Sequence, residues 1–180
     1  VGSEMCIRDR IRREQRKMAN EFKGQVNILP AIGVPGQHMS TNPLVSTQKG
    51  YCAADTVNIG GFVWPVTEKE NDAFVKSTGE GVPLGFAVRE ITNPLGYNQP
   101  ASNTVPKGFP VSVAVKGDFA VITGTDAKVG QSVFAVFADG SIKTGTAGDT
   151  IEAAKETDYK VVKINGSGAK GDIIVISNWA

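Results

Sequence analysis

Apolar runs in this chain are short, and turn residues interrupt them at roughly regular intervals. From residue 56 onward, stretches such as Phe109 to Lys116, Phe119 to Thr123, Ser132 to Ala138, Tyr159 to Ile164 and Asp172 to Ser177 alternate apolar and polar positions. Glycine, asparagine, aspartate or proline closes each one. A period of two over four to eight residues is the signature of a half-buried strand. Eight or nine such strands, spaced about 8–12 residues apart, point to an all-β sandwich or barrel. Strands do not alternate with long helical patterns, so the parallel nucleotide-binding folds are excluded.

Local signals refine this pattern. Thr56 to Val66 carries Val57, Ile59, Phe62, Trp64 and Val66, broken at Gly60-Gly61, where a bulge or corner is expected. Phe62 and Trp64 project to one face and are expected in the core. Ala73 to Lys76 is expected to pair briefly. Val82 to Ile91 reads as a strand with Leu84, Phe86 and Val88 on one face. Residues 92–108, rich in Asn, Pro and Gly, read as a long loop. Gly117-Asp118 reads as the turn of a hairpin, and Asp139-Gly140 as the strongest hairpin signal in the chain. Thr150 to Thr157 is expected to form one helical turn.

Residues 18–55 differ. Pro30, Pro35 and Pro43 recur among Gly24, Gly33, Gly36 and Gly50, a spacing that neither a helix nor a central strand tolerates. Phe22, Val26, Ile28, Leu29, Ile32, Val34, Leu44 and Val45 nevertheless punctuate the stretch. An extended arm with regular apolar anchors needs a surface to lie on, either its own body or a neighbouring subunit. Trp179, just past the last strand, is either tucked onto the body or an interface anchor.

Residues 1–17 are expected to lie outside the natural protein. The codons GTG GGC TCG GAG ATG TGT ATA AGA GAC AG, those of a transposon-type sequencing adaptor, reproduce the chain through Asp9 and the first two bases of Arg10. Residues 11–17 read as a translated ribosome-binding leader ahead of Met18. The formal charge of +1 depends on this stretch, which holds six basic and three acidic residues. Beyond it only Arg89 remains of the arginines, so composition makes no case for nucleic acid. No apolar run approaches the ~20 residues of a membrane helix. The expected division is therefore 1–17 as artefact, 18–55 as arm and 56–180 as β-domain.

Chemistry-bearing motifs are sparse. Gly33-Val34-Pro35-Gly36 and Gly145-Thr146-Ala147-Gly148 lack the helix and Lys-Ser/Thr pair of a phosphate loop. Gly166-Ser167-Gly168 lacks a nucleophile-elbow frame. His38 with Cys52 offers a thiol–imidazole pair, and Glu80 with Glu90 a carboxylate pair, but neither has a supporting motif. Asp118, Asp126, Asp139 and Asp149 fall at expected turns without calcium-loop spacing. No catalytic residue, cofactor or metal is assigned.

Four segments in order, Met18 to Asn27, Gly60 to Trp64, Val82 to Glu90 and Gly171 to Trp179, resemble the structural cement, or head decoration, proteins of tailed bacteriophages. The Ala138 to Ile142 hairpin and Val105 to Val111 fit the same pattern. Where that family often has an arginine after Asn42-Pro43, this chain has Leu44. The resemblance implies a jelly-roll-like β-barrel or sandwich with an extended N-terminal arm. It implies a non-enzymatic virion protein, made in the bacterial cytoplasm, that binds the capsid exterior and bridges major capsid protein subunits. The arm anchors and Trp179 would be its interface residues. A homo-oligomer, dimer or trimer, is expected on the capsid, with neither nucleic acid nor membrane as partner. A carbohydrate-binding or host-attachment module is the alternative and would need Tyr51, Trp64 or Tyr97 exposed in a groove. A small hydrolase would need converging carboxylates.

Overall fold

The computed structural model describes residues 32–66, 73–90 and 103–179. Fourteen strands form among them, and no helix. In chain order these are β1 (Val45–Ser46), β2 (Tyr51–Ala53), β3 (Val57–Asn58), β4 (Phe62–Pro65), β5 (Phe74–Lys76), β6 (Gly85–Ala87) and β7 (Thr104–Val105). The second half contributes β8 (Pro110–Val111), β9 (Val113–Lys116), β10 (Asp118–Ile122), β11 (Ser132–Val136), β12 (Ile142–Gly145), β13 (Ala154–Asn165) and β14 (Ile173–Ser177).

A seven-stranded sheet runs β1-β9-β6-β4-β5-β2-β8, and a five-stranded sheet runs β10-β14-β13-β11-β12. β3 and β7 pair as a separate ribbon. No sheet closes on itself. Thr123 and Ile142 form a single bridge that brings the ends of the five-stranded sheet together at one point. The all-β fold is therefore sandwich-like rather than a barrel.

Two cores flank the seven-stranded sheet. Phe62 and Trp64 of β4, Phe86 of β6 and Ala114 of β9 pack against the inner face of the five-stranded sheet. Val63, Ala87 and Val113, one residue out of phase, join Val57 and Val105 of the ribbon in the second core. Burial on both faces explains why β4 reads Phe-Val-Trp rather than alternating. The first core centres on aromatic rings. Phe86 stacks on Phe119 at 4.4 Å, and Phe62 meets Tyr159 edge-on at 5.6 Å. The Tyr159 hydroxyl donates to the Val115 carbonyl at 3.0 Å, tying one sheet to the other. Burial, then the charges of Asp118 and Asp158, raise its pKa above the usual tyrosine range.

Several local expectations change. Residues 109–123 form no hairpin: β9 lies in one sheet and β10 in the other, and the chain crosses between them at Gly117. A Cβ there would lie 2.7 Å from the Phe119 ring and 3.1 Å from Leu44 Cδ1, which excludes larger residues from the corner. Asp118 is accordingly not a turn residue but the buried first residue of β10. Residues 150–157 form no helical turn; β13 begins at Ala154 and runs for 12 residues. Leu84 precedes its strand and packs on the second core, opposite Phe86 and Val88. Strand β7 falls within the stretch read as loop. The Asp139-Gly140 hairpin does form, with Gly140 at φ +70° and the Asp139 carboxylate accepting the Ser141 N–H at 2.9 Å.

Candidate functional site

Residues 32–42 form a strap along the outer edge of the five-stranded sheet. Gly36 N–H donates to the Ala120 carbonyl at 2.8 Å, Ala120 N–H to Gln37 at 2.9 Å, and Met39 N–H to Asp118 at 2.9 Å. The strap thereby covers the free edge of β10, a position that otherwise invites pairing with another chain. One end is held where the Asn165 side chain donates to the Ile32 carbonyl at 3.0 Å. The other is held by Asn42, whose amide donates to Asp118 Oδ2 at 2.7 Å. Beyond Pro43 the chain enters β1, the outer strand of the larger sheet, and then β2, which lies between β5 and β8. Tyr51 to Ala53 can take this inner place because the prolines have ended.

Asp118 anchors the junction. Burial alone would raise its pKa. The Asn42 hydrogen bond, the neighbouring Ser177 and Ser40 hydroxyls and the nearby His38 together outweigh that effect and hold the carboxyl below its ordinary value. His38 pairs with Phe119 on the strap, while Cys52 pairs with Phe74 and Pro110 in the other sheet. The thiol–imidazole pair is thus not assembled. Among the described residues, no three His, Cys, Asp or Glu side chains converge.

Next to this junction lies an exposed, partly apolar face. Leu44 reaches Gly117, and Val45 pairs with Lys116. The Lys116 ammonium sits 5.0 Å above the Trp179 ring. Trp179 shares a shallow depression of about 340 Å³ with Met39, Val162, Lys163, Val175 and Ser177. Leu44 and Val45 are each 40% exposed, Trp179 is 42% and Val162 is 38%. Val82, Phe109, Ile122 and Val129 are exposed as well. A terminal Asn holds Trp179 in place: Gly117 N–H donates to Asn178 Oδ1 at 3.0 Å, and the Asn178 amide donates to Val115 at 2.9 Å.

Of the residues singled out from the sequence, Leu44 lies beside Gly117 and Val45 opposite Lys116, whose ammonium reaches Trp179. Ile32 and Val34 are exposed along the strap. Phe22, Val26, Ile28 and Leu29 lie outside the described residues. Sequence reasoning missed Val162, Lys163 and Lys116, whose membership depends on cross-strand register. Trp64 is 2% exposed and closed over by Gly79, so it offers no stacking platform. Tyr51 is half-buried, and Tyr97 lies outside the described residues.

The family model described as "Structural cement protein (E217 gp24/Pam3 gp6)" matches residues 22–178. Among solved structures, a chain from the capsid of Myoviridae phage XM1 superposes with a TM-score of 0.57 at 15% identity, over 87% of this chain and 96% of that one. The N base of head fiber gp8.5 of bacteriophage phi29 gives a TM-score of 0.43 at 16% identity, over 75% and 93% of the two chains. At 15% identity the likeness to the XM1 chain is one of fold. No curated protein sequence matches significantly.

Proposed function

This chain belongs to the structural cement protein family of bacteriophages, and from that premise we propose that it binds the outside of the capsid and stabilises it by bridging major capsid protein subunits. The family is one of structural, capsid-associated proteins, and its place is the virion. The observation that supports the bridging role is the grouping of exposed Leu44, Val45, Val162 and Trp179 around the Lys116–Trp179 contact and the depression beside it. An apolar patch of this kind marks an interaction site. The arm residues Phe22, Val26, Ile28 and Leu29, followed by Ile32 and Val34, would extend the contact to a second subunit.

The energetics of such a role rest on repetition. One interface of about 800 Å² per partner gives moderate affinity, set by a few buried anchors. Two contacts joined in one chain turn the second into an intramolecular event, with a gain of ~10²–10⁴ in avidity. Pairing between cement subunits at symmetric lattice positions would add a self-complementary contact. The test is cross-linking of decorated heads followed by mass spectrometry. The reading expects links from the strap and from the Trp179 face to two different capsid subunits. Links to a single subunit from both regions refute bridging.

A further inference from the structure

The exposed face is basic as well as apolar. Lys116, Lys160 and Lys163 are all exposed around it. Lys116 lies over the Trp179 ring. Lys160 pairs across the sheet with Ser177, and Lys163 pairs with Val175 and lines the same depression as Trp179. Residues directly opposite each other on neighbouring strands share a face, so Lys160 lies on the same sheet face as Ser177.

Among the described residues, none of the three ammonium groups makes a hydrogen bond or ion pair. The neighbouring carboxylates are otherwise engaged or stand apart. Asp118 also lines the depression but is only 5% exposed; its Oδ2 accepts from Asn42, and its Oδ1 is buried without a partner. Glu156 on β13 accepts from Gly148 N–H at 3.2 Å. Asp158 is exposed two residues from Lys160 and pairs with none of the three.

We infer that this face docks on an acidic, partly apolar segment of the shell protein, with carboxylates meeting Lys116, Lys160 and Lys163 and an apolar side chain entering the depression beside Trp179. The inference rests on the capsid-binding reading above and specifies the chemistry of the partner surface. Lys160 and Lys163 lie three residues apart on β13 and Lys116 on β9 of the other sheet, and carboxylates on an opposing segment would supply the ion partners that none of the three has among the described residues. Docking against Trp179 and Val162 excludes water, which strengthens each charge pair beyond its value in bulk solvent. A nucleic-acid partner fits less well. Arg89, the one arginine among the described residues, is bonded to Asn103, and Trp179 is the single aromatic ring in the lining of the depression, which Ser40, Asn42 and Asp118 share with the valines and Met39, whereas single-strand binding uses a series of stacking rings.

Binding of the full chain to emptied phage heads is measured by sedimentation in 50 and 500 mM NaCl. The variants are the triple Lys→Ala at 116, 160 and 163 and the triple Lys→Arg. Circular dichroism melts confirm that each is folded. Wild type and the Arg variant should weaken about tenfold at high salt, because the screening length, ~10 Å at 0.1 M, shrinks toward ~3 Å at 1 M. The Ala variant should bind about tenfold more weakly at low salt and lose the salt dependence. An Ala variant that binds like wild type overturns the inference while leaving capsid binding intact. Free protein supplies a second readout: hexaglutamate should shift the Trp179 indole N–H resonance in wild type but not in the Ala variant, and hexalysine should not. A shift caused by duplex DNA and not by hexaglutamate overturns the partner class. A hexaglutamate response from protein that ignores heads sinks the capsid reading and keeps the charge assignment.

Discussion

Replacing Trp64 by alanine should cost ~3–5 kcal/mol, the usual range for deleting a buried large aromatic. The structure allows the figure to be built up. Trp64 is 2% exposed, so nearly all of the ~250 Å² of a tryptophan side chain is removed from water. At ~25 cal/mol per Å² this gives about 6 kcal/mol, reduced to about 4 because unfolded chains already bury part of their surface. The edge contact with Phe137, at 6.2 Å between ring centres, lies within the geometry worth ~0.5–1.5 kcal/mol beyond area. The indole N–H reaches Gly81 O only at 3.4 Å, so its loss adds little. The void cannot refill from nearby, because Gly79 has no side chain to move in. Urea unfolding followed by far-ultraviolet circular dichroism gives the number, and Trp179 remains as a fluorescent reporter. A loss under 1 kcal/mol at unchanged slope would mean that the ring is not a core element, and the two-core description of the larger sheet would fall with it.

Other perturbations probe different links. Gly140→Ala should destabilise by more than ~2 kcal/mol: its φ of +70° disfavours a side chain, and a Cβ would sit 2.1 Å from the Phe62 carbonyl. A thermal melt unchanged from wild type would refute the close approach of the two sheets there. Removing residues 1–31 should leave the melting temperature of the body unchanged. Extending the deletion through Val45 strips three backbone hydrogen bonds from the strap–β10 edge, at ~1 kcal/mol each, and should lower the melting temperature by ~6–12 °C. Equal melting of both truncations would make the strap dispensable. Asp118→Asn should be destabilising at neutral pH and nearly neutral in acid. The folded-state pKa is depressed, so the stabilisation is present above the unfolded value of ~3.9 and is lost as pH falls below it. Urea midpoints of the two proteins that stay equally far apart from pH 7 to pH 3 would refute this.

How far the sequence could be read depends on the range of each interaction. Asp139-Gly140 was legible because a hairpin turn is local: one glycine at positive φ and one carboxylate on a nearby N–H suffice. Gly117-Asp118 looked the same in the sequence but marks a passage between sheets. Its meaning lies in Phe119, Leu44 and Asn42, which come from elsewhere in the chain. The expected eight or nine strands became fourteen because β1, β2, β3, β5, β6, β7 and β8 are only two or three residues long. Such fragments pair only because the fold already holds their neighbours in place, and they carry almost no periodicity. The helical turn expected at Thr150 to Thr157 reflected local composition, overridden by the ladders that β13 makes with β11 and β14. On the exposed face around Trp179, Leu44, Val45 and Trp179 were visible as apolar residues without an evident core. Val162, Lys160 and Lys163 were not, because a bulge between Val161 and Lys163 resets which residues β13 presents.

The central claim is that this protein cements a shell. The direct measurement is titration of the full chain onto matching emptied phage heads, with pelleted protein quantified and the heat resistance of the heads followed. The account predicts saturation at a fixed number of copies per capsid subunit and heads that withstand higher temperature once saturated. Heads that pellet without the protein, or uptake that never saturates and leaves heat resistance unchanged, would contradict it.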